Sequence, residues 1–589
     1  MKKIIIGFCS IAVALLGIIF IRIPQRPPVI SCENGFVEGY REINSVCSFK
    51  GIPYAQPPIG ELRWKKPVPI IPSNGVFKAT KFGHVALQAN DPTGGEAAAS
   101  SKDKSEDCLT LNIWVSNQVL RDVEKGENPK APVMVYFHGG SYCMGGTVDP
   151  LYDGRYLVAA HPDIIVVTVN YRLNYLGFID LHNIPGWTEE YADSEWLGIL
   201  DQQEALRWVQ RNISNFGGDA SNVTIFGESA GGGSVSSHLT ARGSEGLFRR
   251  AIIMSGAPDL TMPQDAADTL KQAESLREAM NKLIQPGQEI VTIKDMVAVT
   301  DTSILMGAYG YPTGIKGMFG IEYLYGNAHF PIRRANSIIP EDPFDALEKG
   351  ASKDIDVMIG TTWDEFNYFV HLFHNVQDGK MTIDTTGTRP FTHVNEWLKE
   401  YTAAARIHYG DGGEAVDRFM EIAKSDYEEY YKDQYPDFWK RVELINELYF
   451  RQGSILAAEL HSLAQGKGKT YMYFFGKGYD EKAIKGQPWI GAMHACELTY
   501  AFNQPDFPKG GPYYKELTSK FSTAFVNFAR CGNPSSEKLE WPEYLVGTRR
   551  TMIIDRQGNM HVDGDPRGEY RVLLGGSKFR TYFKNRKPF

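Results

Sequence analysis

The chain is short of cysteine, carries no excess of positive charge and shows no internal repeat, and each shortage removes a class of protein. Seven cysteines in 589 residues are too few for a disulfide scaffold, so a hydrophobic core must hold the fold. Aspartate and glutamate outnumber lysine and arginine by 70 to 62, for a net charge of −8. That balance gives no electrostatic footprint for nucleic acid, and none is expected as a partner. Without a repeat, solenoid and propeller architectures are excluded. Aromatic residues are missing altogether from 84–107. Within that stretch, residues 88–107 (QANDPTGGEAAASSKDKSED) are polar, small and charged, as in an exposed mobile loop.

What is present suits a large globular body. Hydrophobic residues make up 43% of the chain and charged residues 22%, an ordinary balance for a folded domain. The N-terminus places Lys2 and Lys3 before an unbroken apolar run from Ile4 to Ile21, 18 residues long. That run exceeds the usual signal-peptide core and is just long enough to span a bilayer, where ~17–25 residues are needed. Residues 1–23 are therefore expected to be a signal peptide or a signal anchor, a possible membrane anchor that directs the chain into the secretory pathway. Residues 24–28 (PQRPP) form a spacer, and 24–589 is expected to be one catalytic domain.

From Val29 onward, apolar strands alternate with amphipathic helices. Val133–Phe137, Ile164–Val169, Ala251–Met254, Asp356–Gly360 and Tyr471–Phe475 are continuous apolar runs, the signature of strands buried on both faces. Asp201–Ile213 has helical periodicity, and Val223–Phe226 is a strand followed by a helix over Gly231–Leu239. The pattern predicts an α/β fold with a large, mostly parallel sheet. Residues 256–355 are expected to form excursions above the sheet. Cys32 and Cys47 are placed to staple an N-terminal hairpin. Of two N-x-S/T sequons, at Asn212 and Asn222, the second leads into a core strand and is a poor glycan site.

Between the strand and the helix lies Gly227-Glu228-Ser229-Ala230-Gly231, a G-x-S-x-G segment in the strand–turn–helix context of a nucleophile elbow. The turn lifts the Ser229 hydroxyl clear of the sheet, and the helix that follows aims its positive end at developing negative charge. Upstream, His138-Gly139-Gly140-Ser141-Tyr142 directly follows the strand Val133–Phe137. A glycine-rich turn there can offer the N–H groups of Gly140 and Ser141 to an oxyanion, with that of Ala230 as the third donor.

GIPYAQPPIGELRW (51–64), SEDCLTLNIWV (105–115), HGGSY (138–142), FGGDASNVTIFGESAGG (216–232) and MSG (254–256) together resemble the type-B carboxylesterase/cholinesterase family, and the resemblance covers nearly the whole chain after Cys32. It implies the α/β-hydrolase fold and hydrolysis of carboxylic esters. It also implies the remaining catalytic groups: Glu365, from Gly360-Thr361-Thr362-Trp363-Asp364-Glu365, as the acid, and His494, from Gly491-Ala492-Met493-His494, as the base. Buried ion pairs Arg63–Glu106 and Arg172–Asp201 are implied as scaffold, with Glu228 and Glu497 in a polar network near the imidazole. No cofactor or metal is implied, and the oligomeric state stays open.

The departures from that pattern are informative. Members of the family pair the cysteine of SEDC, here Cys108, with one shortly upstream, and KFGHVALQ (81–88) contains none. A cholinesterase also carries a tryptophan in this region to bind a quaternary ammonium, so its absence removes the cation–π platform and argues against choline esters. Ser141 replaces the usual glycine or alanine. The expected chemistry is acyl transfer to Ser229 from small or medium hydrophobic esters, with the hydroxyl against the imidazole and the carboxylate behind it. The rival readings are a non-catalytic adhesion member of the same fold, or a lipase. Cys143 and Cys496, near Ser141 and His494 in the chain, are expected to be buried inert thiols, the alternative being that they line the base of the pocket.

Overall fold

The computed structural model describes residues 26–88, 103–258, 266–309, 338–339, 341–373, 376–377, 380–381, 392–478, 488–504 and 515–585. The apolar N-terminal segment and most of the polar stretch 88–107 lie outside the described residues. Among the described residues no helix is long and apolar enough to cross a membrane.

An eleven-stranded sheet organises the chain. Its strands are β1 (Tyr40–Arg41), β2 (Val46–Pro53), β3 (Thr110–Ser116), β4 (Ala131–Phe137), β5 (Ile165–Val169), β6 (Gly218–Glu228), β7 (Arg250–Met254), β8 (Asp356–Thr362), β9 (Thr470–Phe475), β10 (Arg550–Ile554) and β11 (Met560–Gly564). The spatial order is β11-β10-β9-β8-β7-β6-β4-β5-β3-β2-β1. From β10 across to β5 every pairing is parallel, while β11 and the β3-β2-β1 edge run antiparallel. The apolar runs read from sequence are therefore the central strands, and the fold is that of an α/β hydrolase.

Period-two alternation sends successive side chains to opposite faces. Val133, Val135 and Phe137 of β4 enter one core cluster, whereas Met134 and Tyr136 enter the other. Both faces are covered, which is why the strand sequences show no polar alternation. Helix α1 (Leu197–Asn212) begins ahead of the predicted start at Asp201. Its first residues, Leu197, Ile199 and Leu200, are all buried, so no polar face marks the beginning. Helix α2 (Ala230–His238) follows the elbow. The stretch 256–355 contributes helices Ala266–Leu283, Ile293–Ala298, Thr302–Tyr309 and Pro343–Glu348, with 310–337 outside the described residues.

Both expected ion pairs are formed. Arg63 holds Glu106 through two hydrogen bonds of 2.5 and 2.7 Å, and Arg172 grips Asp201 at 2.6 and 2.8 Å. Their remaining donors reach backbone carbonyls of Met296, Val297 and Lys65, so each pair stitches distant segments together. The expected Cys32–Cys47 staple is not formed, and both thiols are free. Cys32 lies on a separate three-stranded sheet, Cys47 on β2 of the large sheet. The thiol of Cys47 donates instead to Asn117 Oδ1 at 2.8 Å, and burial pushes it up to about 11. Cys108 is also free, as its missing upstream partner requires.

Neither sequon asparagine has a spare side chain. Asn212 is buried and bonded to Glu33 N and Trp208 O, and Asn222 is bonded to Arg250 and Arg530 O.

His238, at the end of α2, is buried between Gln202 and Ser244 at 3.0 and 2.9 Å, and burial lowers its pKa to about 3. The unfolded chain thus takes up this proton first as pH falls, so the folded state loses stability through and below an unfolded value of ~6.5. His238→Gln is expected to abolish that loss. Measured by urea unfolding, its stability relative to wild type should improve by roughly 3 kcal/mol between pH 8 and pH 4. An unchanged difference across that range would mean the histidine is not held neutral.

Candidate active site

β6 delivers Ser229 to the top of the sheet in a strained turn, with φ 57° and ψ −123° at the serine itself. Such a conformation persists only where the surroundings enforce it. Here Ser229 N–H donates to Met254 O at 2.9 Å, and Ser229 O accepts from Gly233 N at 2.8 Å. Two glycines make the turn possible. A Cβ on Gly227 would lie 2.4 Å from the Gly231 carbonyl, and one on Gly231 would lie 2.0 Å from Phe137 O. Ser229 remains partly accessible, whereas Ala230 and the rest of α2 are buried.

The glycine turn after β4 packs against this elbow. A Cβ on Gly139 would sit 3.2 Å from Ser229 Cβ and 2.8 Å from Glu228 O. Gly140, Ser141 and Tyr142 all have positive φ, 103°, 52° and 57°, and Gly140 O closes the turn by accepting from Cys143 N and Met144 N at 3.0 Å. Among the described residues no acceptor takes the N–H of Gly140, Ser141 or Ala230. Ser141 is exposed, so its replacement of a smaller residue leaves the backbone donor unobstructed. Inside the turn, Tyr171 O–H donates to His138 O at 2.6 Å and stacks on its ring. Burial lowers the His138 pKa to about 4, so the imidazole stays neutral under the loop.

Glu365 and His494 meet. His494 Nδ1–H donates to Glu365 Oε2 at 2.6 Å, and both side chains are buried. The other carboxylate oxygen, Oε1, accepts from Ser255 Oγ at 2.6 Å and Thr362 N at 2.7 Å. The acid is thus fixed at both oxygens, and the imidazole is held with Nε2 facing the elbow. There Glu228 Oε1 lies 3.2 Å from Nε2, which makes no hydrogen bond. The expected contact between hydroxyl and ring is therefore not formed as a hydrogen bond. Catalytic hydrogen bonds of unliganded enzymes are often long and tighten only when substrate binds.

Glu497 lies behind this group, its carboxyl pushed well above the usual range by burial and by the neighbouring Glu228 and Glu365. Tyr473 O–H reaches it at 3.4 Å. The network predicted around the imidazole is present, with Glu228 in direct contact with the ring.

Three aromatic rings surround His494: Phe450 at 4.9 Å, Phe369 at 5.5 Å and Tyr368 at 6.1 Å between centroids. Tyr368 and Phe369 belong to helix α3 (Asn367–Phe373), Phe450 to a π-helical turn over Asn446–Arg451. That turn is pinned to the acid loop by Phe366 N–H, which donates to Asn446 Oδ1 at 2.7 Å. Sequence reasoning missed Phe450 and the role of Ser255. Ser255 was visible in the MSG motif, but nothing local connects Phe450 to the site. Cys143 and Cys496 are buried; the latter belongs to the same core cluster as Met134 and Tyr136, its thiol on Lys477 O at 3.7 Å.

Among the described residues one group has metal-ligand chemistry, Asp180, His182 and Glu195, with donor atoms within 4.8 Å of one another. His182 Nδ1 is already engaged by Asp180 Oδ1 at 2.6 Å and its ring stacks on Trp187. None of these residues belongs to the Ser229 site.

Known proteins resemble this chain over nearly its whole length. The model of the carboxylesterase family matches residues 26–569. The para-nitrobenzyl esterase of Bacillus subtilis (strain 168) is 30% identical over 93% of this chain and 99% of its own length. The acetylcholinesterase of Leptinotarsa decemlineata is 29% identical over 90% of this chain and 83% of its own. Among solved structures, a carboxylesterase of Geobacillus stearothermophilus superposes with a TM-score of 0.72 at 29% identity, covering 92% of this chain and 99% of the other. With an elbow, a glycine turn and a carboxylate–imidazole pair gathered at the ends of the central strands, this chain belongs to the carboxylesterase family and is a carboxylic ester hydrolase of the α/β-hydrolase fold.

Proposed function

We propose that the chain hydrolyses small or medium hydrophobic esters through an acyl-enzyme on Ser229, with His494 as general base and Glu365 as its orienting acid. The observation that carries this reading is the 2.6 Å bond from His494 Nδ1 to Glu365. It fixes the proton on Nδ1, so Nε2 of the neutral ring keeps its lone pair on the side of the elbow. As Ser229 Oγ attacks the ester carbonyl, its proton passes to Nε2. The imidazolium so formed lies between the carboxylates of Glu365 and Glu228, which stabilise its charge.

The oxyanion is taken by the N–H groups of Gly140, Ser141 and Ala230; loss of one such donor costs roughly 2.7–4 kcal/mol in a well-studied protease. His494 then protonates the departing alcohol, and water releases the acid by the reverse steps. The rings of Phe450, Phe369 and Tyr368 beside the base support an apolar acyl or alcohol group. Residues 24–589 act as one catalytic domain, and residues 1–23 take it into the secretory pathway; the lysine pair and the apolar run support this.

The test is covalent. A fluorophosphonate should add to the protein once, mass spectrometry should place the adduct on Ser229, and Ser229→Ala should take none. Labelling that persists in Ser229→Ala would move the nucleophile elsewhere. A panel of p-nitrophenyl esters from acetyl to palmitoyl then fixes the acyl preference, with the maximum expected at short to medium chains.

A further inference from the structure

The acid and the base sit on two loops, and a second carboxylate laces those loops together. Asp364, the chain neighbour of Glu365, is 4% exposed. Its N–H donates to Ala492 O at 3.0 Å, and its Oδ2 accepts the N–H of Ala492 at 2.7 Å. Two residues further along, His494 N–H reaches Glu365 O at 3.3 Å. Tyr427 O–H also donates to Asp364 Oδ2, at 3.1 Å. Gly491 opens the histidine loop at φ 57°, and a Cβ there would lie 2.3 Å from Asp364 Oδ2 and 2.0 Å from Tyr427 Oη. The loop therefore lies against this carboxylate as closely as backbone can.

The carboxylate is in turn held by Arg556, from the turn between β10 and β11. Its guanidinium grips Asp364 with both terminal nitrogens, Nη2 reaching Oδ1 at 2.9 Å and Nη1 reaching Oδ2. The same group lies 4.9 Å from the ring of Trp363 and 5.6 Å from that of Tyr427. On its outer edge it binds Asp426 at 2.7 and 3.0 Å, a side chain that is 65% exposed. A buried carboxylate without a cation is costly, and only the planar fork of arginine fixes its orientation through two parallel bonds. Among the described residues its hydrogen bonds and ion pairs go to Asp364 and Asp426, not to Glu365 or His494.

We propose that Arg556, acting through Asp364, is a positioning residue for the general base: the ion pair sets the loop that carries His494 and with it the distance from the ring to Ser229. This rests on the proposed roles of Ser229, Glu365 and His494. A displacement of about 1 Å at a reacting group costs on the order of 10²-fold in rate.

Arg556→Met should therefore lower kcat by about 30- to 100-fold with KM changed less than about threefold. Arg556→Lys, which restores the charge without the fork, should recover part of the loss. Asp364→Asn should resemble Arg556→Met, and the double variant should be no worse than either single change, because the two act as one unit. Asp426→Asn, which removes only the exposed outer partner, should stay within about twofold of wild type.

Each preparation is titrated with a fluorophosphonate so that rates refer to active sites. Wild-type kcat in Arg556→Lys and Asp364→Asn overturns the proposal, and so does a loss confined to KM, even if Arg556→Met fails to fold. If the wild type itself is not labelled at Ser229, the underlying assignment falls instead, and the two failures are thus distinguishable.

Discussion

Ser229→Ala is expected to lower kcat by about 10⁴- to 10⁶-fold, leaving only the rate supplied by the oxyanion donors and by binding. The size follows from covalent catalysis: without Oγ there is no acyl-enzyme, and His494 has only water to activate. The fold should be unaffected. The hydroxyl of Ser229 takes no part in the turn, which is held by backbone bonds to Met254 and Gly233, and alanine meets the same strain at φ 57° as serine. The check is steady-state hydrolysis of a p-nitrophenyl ester, with circular dichroism to confirm the fold. A variant retaining more than about a tenth of the wild-type rate would place ester cleavage at another group.

Glu365→Gln is expected to cost about 10⁴-fold in kcat, the scale seen when the orienting acid of a serine protease becomes an amide. The hydrogen bonds give the reason. Oε1 of Glu365 accepts from Ser255 Oγ at 2.6 Å and Thr362 N at 2.7 Å. A glutamine must leave its carbonyl oxygen there, which turns its NH₂ group towards His494 Nδ1. The ring then has to present a lone pair at Nδ1 and carry its proton on Nε2, so it can no longer accept one from Ser229. The geometry survives while the tautomer is wrong. Fluorophosphonate labelling, which needs the same proton transfer, should slow in parallel with ester hydrolysis. A loss below about tenfold in both would show that Glu365 does not set the tautomer.

The elements that could be read from residues alone are those in which local pattern and tertiary position agree. The central parts of β4 through β9 are buried on both faces, so their apolar runs point to a parallel sheet. The elbow was legible because glycines 227 and 231 are demanded by backbone atoms a few residues away in the chain or on the neighbouring strand. Glu365 and His494 were a different matter. Neither carries a local pattern that marks a catalytic group, and both came from resemblance to the family.

Where expectation failed, a distant segment had decided the outcome. Cys32 and Cys47 stand 15 positions apart, yet the chain between them turns the two onto different sheets. α1 begins before its amphipathic pattern because its first turn has no solvent side. The expected hydrogen bond between the Ser229 hydroxyl and the imidazole is not formed, and Glu228 Oε1 lies 3.2 Å from the ring nitrogen, because the histidine loop meets the elbow from a distant part of the chain.

The sheet, the strained turn that bears Ser229, the glycine turn beside it and the lack of a disulfide scaffold are legible in the residues alone, because each follows from period, glycine placement or composition within a short window. Three-dimensional packing alone brings His494 Nδ1 to Glu365, sets Ser255 and Thr362 on the acid's other oxygen, and carries Arg556 across 192 positions to Asp364. Those contacts are set by which loops the strands bring to one end of the sheet. That depends on strand order, and no local stretch of residues encodes it.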